Sequence, residues 1–120
     1  MRKIFFLAIL IGSASPALAQ SNCLEPVMPM QVDGSVATAD QLRIAMAQAR
    51  AFIAEASVYQ DCLLQEVEAA KTQAAATGLP FEPAIEASAR SKIAASEKAQ
   101  DRVGEEIEGT VSAYKLVQAN

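Results

Sequence analysis

Two groups of residues in this chain have types and spacing that could do chemistry. One is a cysteine pair, Cys23 and Cys62, 39 positions apart. The other is an acidic trio, Asp101, Glu105 and Glu108, which share one helical face with Glu106 beside them. Such a trio could hold a divalent cation through carboxylate oxygens. Charge runs of this kind are ordinary on exposed helices, so a solvated face is the preferred reading. His is absent, which removes the commonest general base and metal ligand. There is no Gly-rich phosphate loop and no activated-nucleophile motif. The expectation is a non-enzyme without metal or cofactor.

What the cysteines do depends on where the chain resides. Arg2 and Lys3 precede an apolar run from Ile4 to Ile11, and Ala17-Leu18-Ala19 places small residues where a signal peptidase reads. Residues 1–19 therefore read as a signal peptide. The run falls short of the roughly 20 apolar residues a spanning helix needs, and Ser21-Asn22 before Cys23 does not suit a lipidated cysteine. Removing Arg2 and Lys3 leaves eight basic against fourteen acidic residues, a net charge of −6. That balance argues against nucleic acid or an anionic membrane surface as partner. No other segment is apolar enough to span a membrane, so the expected product is periplasmic or secreted. Export favours oxidation, and two cysteines allow one intramolecular pairing. An intermolecular bridge and free thiols are the competing readings, and the spacing does not fit a redox C-x-x-C pair.

A staple would matter here, because about 100 residues bury a modest fraction of their surface and Ala is about a fifth of them. The element that positions Cys62 is the stretch from Thr38 to Thr77, which lacks Pro and Gly. Thr38-Ala39-Asp40-Gln41 is a capping-box sequence, and Asp40 suits the positive end of the helix dipole. Leu42, Ala45, Ala49, Phe52, Ala56, Tyr59, Leu63 and Ala70 then step at three and four, with Met46, Ile53 and Val67 widening the stripe. Tyr59, next to the cysteine, could form a recognition patch, but its place on the stripe favours core packing. A thinner line of Ile44, Ala51, Val58 and Cys62 runs beside the stripe and asks for a second cover.

Residues 20–37 hold Pro26, Pro29 and Asp33-Gly34 and predict an extended or polyproline-like segment with a turn. Cys62 lies 24 residues beyond Thr38, about 36 Å of helix. Cys23 lies 15 residues before it, about 46 Å of extended chain. An intramolecular bridge therefore requires the segment to fold back along the first helix, covering that thinner line. Met28 and Met30 could then fill gaps against the helix or present an adaptable surface.

Gly78 and Pro80 break the helix, and Pro83 suits the first turn of the next. The loop 78–82 predicts antiparallel neighbours, with Leu79 and Phe81 closing the hairpin core. The second helix, 83–117, carries a heptad-like row of Ile85, Ala89, Lys92 or Ile93, Ser96, Ala99, Val103, Ile107, Thr110, Tyr114 and Val117. Gly104 and Gly109 mark this half for fraying or a kink, and Glu86 with Arg90 supports it as an i, i+4 pair.

The signal peptide, Cys23, Pro26 and Pro29, Asp33-Gly34, Thr38 and Tyr59-Gln60-Asp61-Cys62-Leu63 form a set that resembles small exported proteins of uncharacterised function from α-proteobacteria. The resemblance covers most of Cys23 to Leu63. It implies a periplasmic helical hairpin with a Cys23–Cys62 disulfide, and it carries over no catalytic residue.

The expected fold is all-α: a long antiparallel two-helix hairpin over 38–120, coiled-coil-like, with an extended N-terminal segment folded back on the first helix. The expected function is a structural or protein-interaction module of the bacterial envelope, with a protein partner or a homo-oligomer completing the core. A periplasmic holdase or assembly chaperone is the alternative, and a small ion-binding protein on the acidic trio a third. Phe52, Ile53 and Leu64 are the candidate interaction surface.

Overall fold

A computed structural model describes residues 22–120, so the signal peptide expected at 1–19 lies outside the described residues. The chain is an antiparallel pair of long helices, α1 (Ala39–Thr77) and α2 (Pro83–Gln118), with an extended strap over residues 22–37 running back along them. No strand occurs among the described residues. At 1.5 Å per residue the helices are about 58 and 54 Å long.

Local chemistry sets the ends of α1. The Thr38 hydroxyl accepts the Gln41 amide N–H at 3.2 Å, and the Gln41 side chain accepts the Thr38 N–H at 2.9 Å. The capping box therefore forms as its sequence requires. At the far end Gly78 takes φ 68°, a left-handed conformation that costs glycine nothing. Its N–H and that of Leu79 donate to the carbonyls of Ala75 and Ala74. Pro83 begins α2 where no amide donor is needed.

The core forms two apolar clusters. One joins Ala49, Phe52 and Ala56 of α1 to Val103 of α2, with Met28, Ala99 and Ile107 at its edge. The other joins Tyr59, Leu63 and Val67 to Ala89, with Cys23, Phe81 and Ile93 at its edge. Each receives one side chain from the strap, and the loop adds Phe81 to the second, so the core has four contributors. A polar layer lies between the clusters. There the Gln60 amide donates to Ser96 Oγ at 3.0 Å and to Gln100 Oε1 at 2.9 Å. Gln100 in turn donates to the Ile53 carbonyl at 2.9 Å and to Ser57 Oγ at 3.2 Å. A buried polar group is costly unless bonded, so this set fixes the register of the two helices. At the hairpin end, the Lys71 ammonium lies 3.4 Å from Glu86 and 5.6 Å from the centre of the Phe81 ring.

Several expectations need correction. Phe52 is 4 % exposed and sits in the first cluster, because its position on the main stripe turns it toward Val103. Leu79 is exposed, and Phe81 alone closes the core. Helix α2 passes through Gly104 and Gly109 unbroken, and no atom approaches the place of a Cβ at either. Packing of Val103 and Ile107, which flank Gly104, helps hold the helix against a glycine cost of about 1 kcal/mol at each position. Finally, the strap does not cover Ile44, Ala51 and Val58. It follows the groove between the helices, and Ile44 and Val58 remain 56 % and 69 % exposed.

Candidate interaction surface

The strap is held at both ends. At one, Cys23 and Cys62 form a disulfide with their Cα atoms 5.7 Å apart, and the Asn22 N–H donates to Glu66 Oε1 at 2.8 Å. At the other, the Thr110 hydroxyl donates to the Val32 carbonyl at 3.0 Å while also contacting the carbonyl of Glu106 on its own helix. Gly34 then passes so close to α2 that a Cβ there would lie 1.9 Å from the Thr110 carbonyl oxygen. The turn that follows is closed by Asp33, whose carboxylate accepts from both the N–H and the hydroxyl of Ser35. Those two bonds hold the Asp33 carboxyl below its ordinary range.

Between these anchors burial repeats every three residues. Cys23, Pro26, Pro29 and Val32 are half-buried, whereas Leu24, Val27 and Met30 are 89 %, 88 % and 84 % exposed. Three residues per turn is the period of polyproline II. The outward row lies beside the uncovered line on α1: Val27, Met28 and Met30 share a shallow groove with Gln48, Ala51 and Glu55. The spacings agree, since one polyproline turn advances about 9 Å and one heptad of helix about 10.5 Å. Leu24, Val27 and Met30 therefore run in step with Val58, Ala51 and Ile44. Strap and helix thus present two exposed apolar rows that meet at Ala51, with Gln48 and Glu55 along their border.

The expected surface divides differently. Phe52 is in the core, whereas Ile53 and Leu64 are exposed and border grooves that no strap residue lines. Ile53 borders a groove with Met46, Ile107 and Val111, and Leu64 one with Val67, Ala89 and Ile93. The polar layer of Gln60 and Gln100 lies between those stretches, so they do not form one apolar patch.

The acidic trio does not assemble. Among the described residues, the one set of three potential ligand atoms within 4.8 Å of one another is Cys23, Cys62 and Glu66, and both sulfurs are engaged in the disulfide. Tyr59 is buried, with its hydroxyl pKa raised by burial and by the nearby Glu25 and Glu66 charges. It therefore packs the core rather than forming an exposed patch. No helix among the described residues is long and apolar enough to cross a membrane.

Helical periodicity located Cys62, Tyr59 and the main stripe. It missed the strap's outward row, whose period is three and which shows only when residues 22–34 are tested against polyproline geometry. It also missed Gln60 and Gln100, whose polar bonds depend on the register between the helices. No known protein family matches the chain, and neither curated proteins nor solved structures yield a match.

Proposed function

We propose that this is an exported protein of the bacterial envelope that acts without catalysis, as a structural or protein-interaction module. The observation that carries the reading is the two-row surface of Leu24, Val27 and Met30 beside Ile44, Ala51 and Val58. Exposed single apolar residues are ordinary, but two exposed apolar rows that meet at Ala51, one of them on a disulfide-anchored strap, mark a binding surface. The leader sequence and the disulfide support an oxidising, extracytoplasmic location, in keeping with the resemblance to small periplasmic proteins of α-proteobacteria.

The test is crosslinking of the mature protein in its native envelope, followed by identification of bound proteins. A specific protein lost on Val27→Asp supports the reading. A chain that stays monomeric and crosslinks to nothing removes it. A holdase role draws on the same surface, since exposed Met30 is soft and adaptable. It predicts suppression of aggregation of an unfolded client by the oxidised protein, and no suppression ends it.

A further inference from the structure

The side of α1 turned away from α2 carries a second pattern. Ile44, Ala47, Ala51, Ala54 and Val58 are all exposed and follow one another at steps of three, four, three and four. That is a two-heptad seam of the type by which helices pair. The next seam positions on either side are Asp40 and Asp61, which end it. Arg43 and Arg50 flank the seam on one edge, and Gln48 and Glu55 flank it on the other. Neither Arg50 nor Glu55 makes an ion pair among the described residues.

We infer that the partner for this surface is a second copy of the chain, docked in parallel along the outer face of α1. The inference rests on the interaction-module reading and names its partner. Charge decides both occupant and direction. In a parallel pair, an edge residue faces the one five positions on in its partner. Arg50 then meets Glu55 of the second copy, Arg43 meets Gln48, and symmetry makes each contact twice. An antiparallel pair would set Arg43 and Arg50 against the same arginine edge, and Glu55 against Glu55. The three alanines let the backbones approach closely.

Two heptads rich in Ala form a small interface, and here the strap contributes. Glu55 lies beside Val27 and Met30 in one groove, so the incoming Arg50 stem packs along the strap's outward row as its guanidinium reaches the carboxylate. The interface is thus built jointly by helix and strap, and it depends on the disulfide that keeps the row in place. A surface of this size lies at the low end of specific interfaces, so dissociation in the range of about 10 μM is expected.

Analytical ultracentrifugation of the oxidised mature protein from about 1 to 500 μM tests this. The expected result is a concentration-dependent dimer. Val27→Lys, at a side chain 88 % exposed, sets a cation against the incoming Arg50 and should weaken the dimer at least tenfold while leaving helix content and melting temperature nearly unchanged. Arg50→Glu and Glu55→Arg should each weaken it about threefold to tenfold, and the double exchange R50E/E55R should restore it. A monomer throughout the range overturns the inference, as does a dimer that ignores Val27→Lys or is not restored by the exchange. A monomer that still crosslinks to another envelope protein through Val27 overturns the second-copy inference and leaves the interaction-module reading standing.

Discussion

The two helices are nearly equal in length and unequal in burial. Helix α1 buries Leu42, Ala45, Ala49, Phe52, Ala56, Tyr59, Leu63 and Val67, whereas α2 buries Ala89, Ser96 and Val103. The difference comes from position. Helix α1 is covered by α2 and by a strap bonded covalently to it. Helix α2 meets its partner mostly through small residues and a polar layer, and the strap meets it only along its second half, from Val103 to Tyr114. A two-helix hairpin has no interior of its own, and the strap is what turns one face of α1 into a core.

The largest break of that asymmetry is Phe52→Ala. Phe52 lies on α1 where strap and α2 meet, against Met28 and Val103, and truncation of a buried Phe costs about 3–5 kcal/mol. Ile85→Ala, on an exposed part of α2, should change stability by about 0.5 kcal/mol or less. Urea unfolding of the two variants measures the contrast directly. If Phe52→Ala costs no more than Ile85→Ala, the strap and α2 do not jointly cover α1.

Opening the covalent anchor comes next. In the chain-entropy account, a bridge across 39 residues contributes about 4 kcal/mol, so the C23S/C62S variant should lose about that much. Mass spectrometry of non-reduced peptides should show Cys23 linked to Cys62 within one chain. The opposite end of the strap is held by packing. Gly34→Ala would drive a methyl group into the Thr110 carbonyl and should cost about 1–3 kcal/mol, as overpacking does. Gly109→Ala, in open space on α2, should instead stabilise by about 0.5–1 kcal/mol through helix propensity and the unfolded chain. Opposite signs for two glycine substitutions separate the residue the strap presses on α2 from one that α2 merely tolerates.

How much of this was legible in the sequence follows from which interactions are local. The capping box at Thr38, the left-handed Gly78, Pro83 at the start of α2 and the stripe from Leu42 to Val67 rest on neighbours within four residues. Chain reach alone required that Cys23 lie back along α1 if the bridge is intramolecular. The placement of the strap was not legible. Whether it covers Ile44, Ala51 and Val58 or enters the groove depends on the space left by α2, where Met28 packs against the cluster of Ala49, Phe52, Ala56 and Val103. Phe52 shows the reverse case, since its stripe position already implied burial. The polar layer rests on a pairing of Gln60 with Ser96 and Gln100, and no feature local to either helix fixes that register.

Titration gives the smallest contrast, with one sensitive group on each helix. On α1, burial raises the Tyr59 pKa above its ordinary value of 10.0, reinforced by Glu25 and Glu66. A raised folded-state pKa gives stability that is fully present below the unfolded value and lost as pH rises through the folded one. The alkaline limb of stability should therefore fall above about pH 10, and Tyr59→Phe should flatten it. On α2, the hydrogen bond from Arg90, helped by the Lys71 charge, lowers the Glu86 pKa below its ordinary value of 4.5. A lowered folded-state pKa gives stability present above the unfolded value and lost as pH falls through the folded one. Glu86→Gln should therefore reduce the acid dependence, by a small amount because the pair is exposed to solvent. Urea midpoints from pH 3 to 11 check both limbs. An alkaline limb unchanged by Tyr59→Phe would place the Tyr59 hydroxyl in water and remove it from the core of α1.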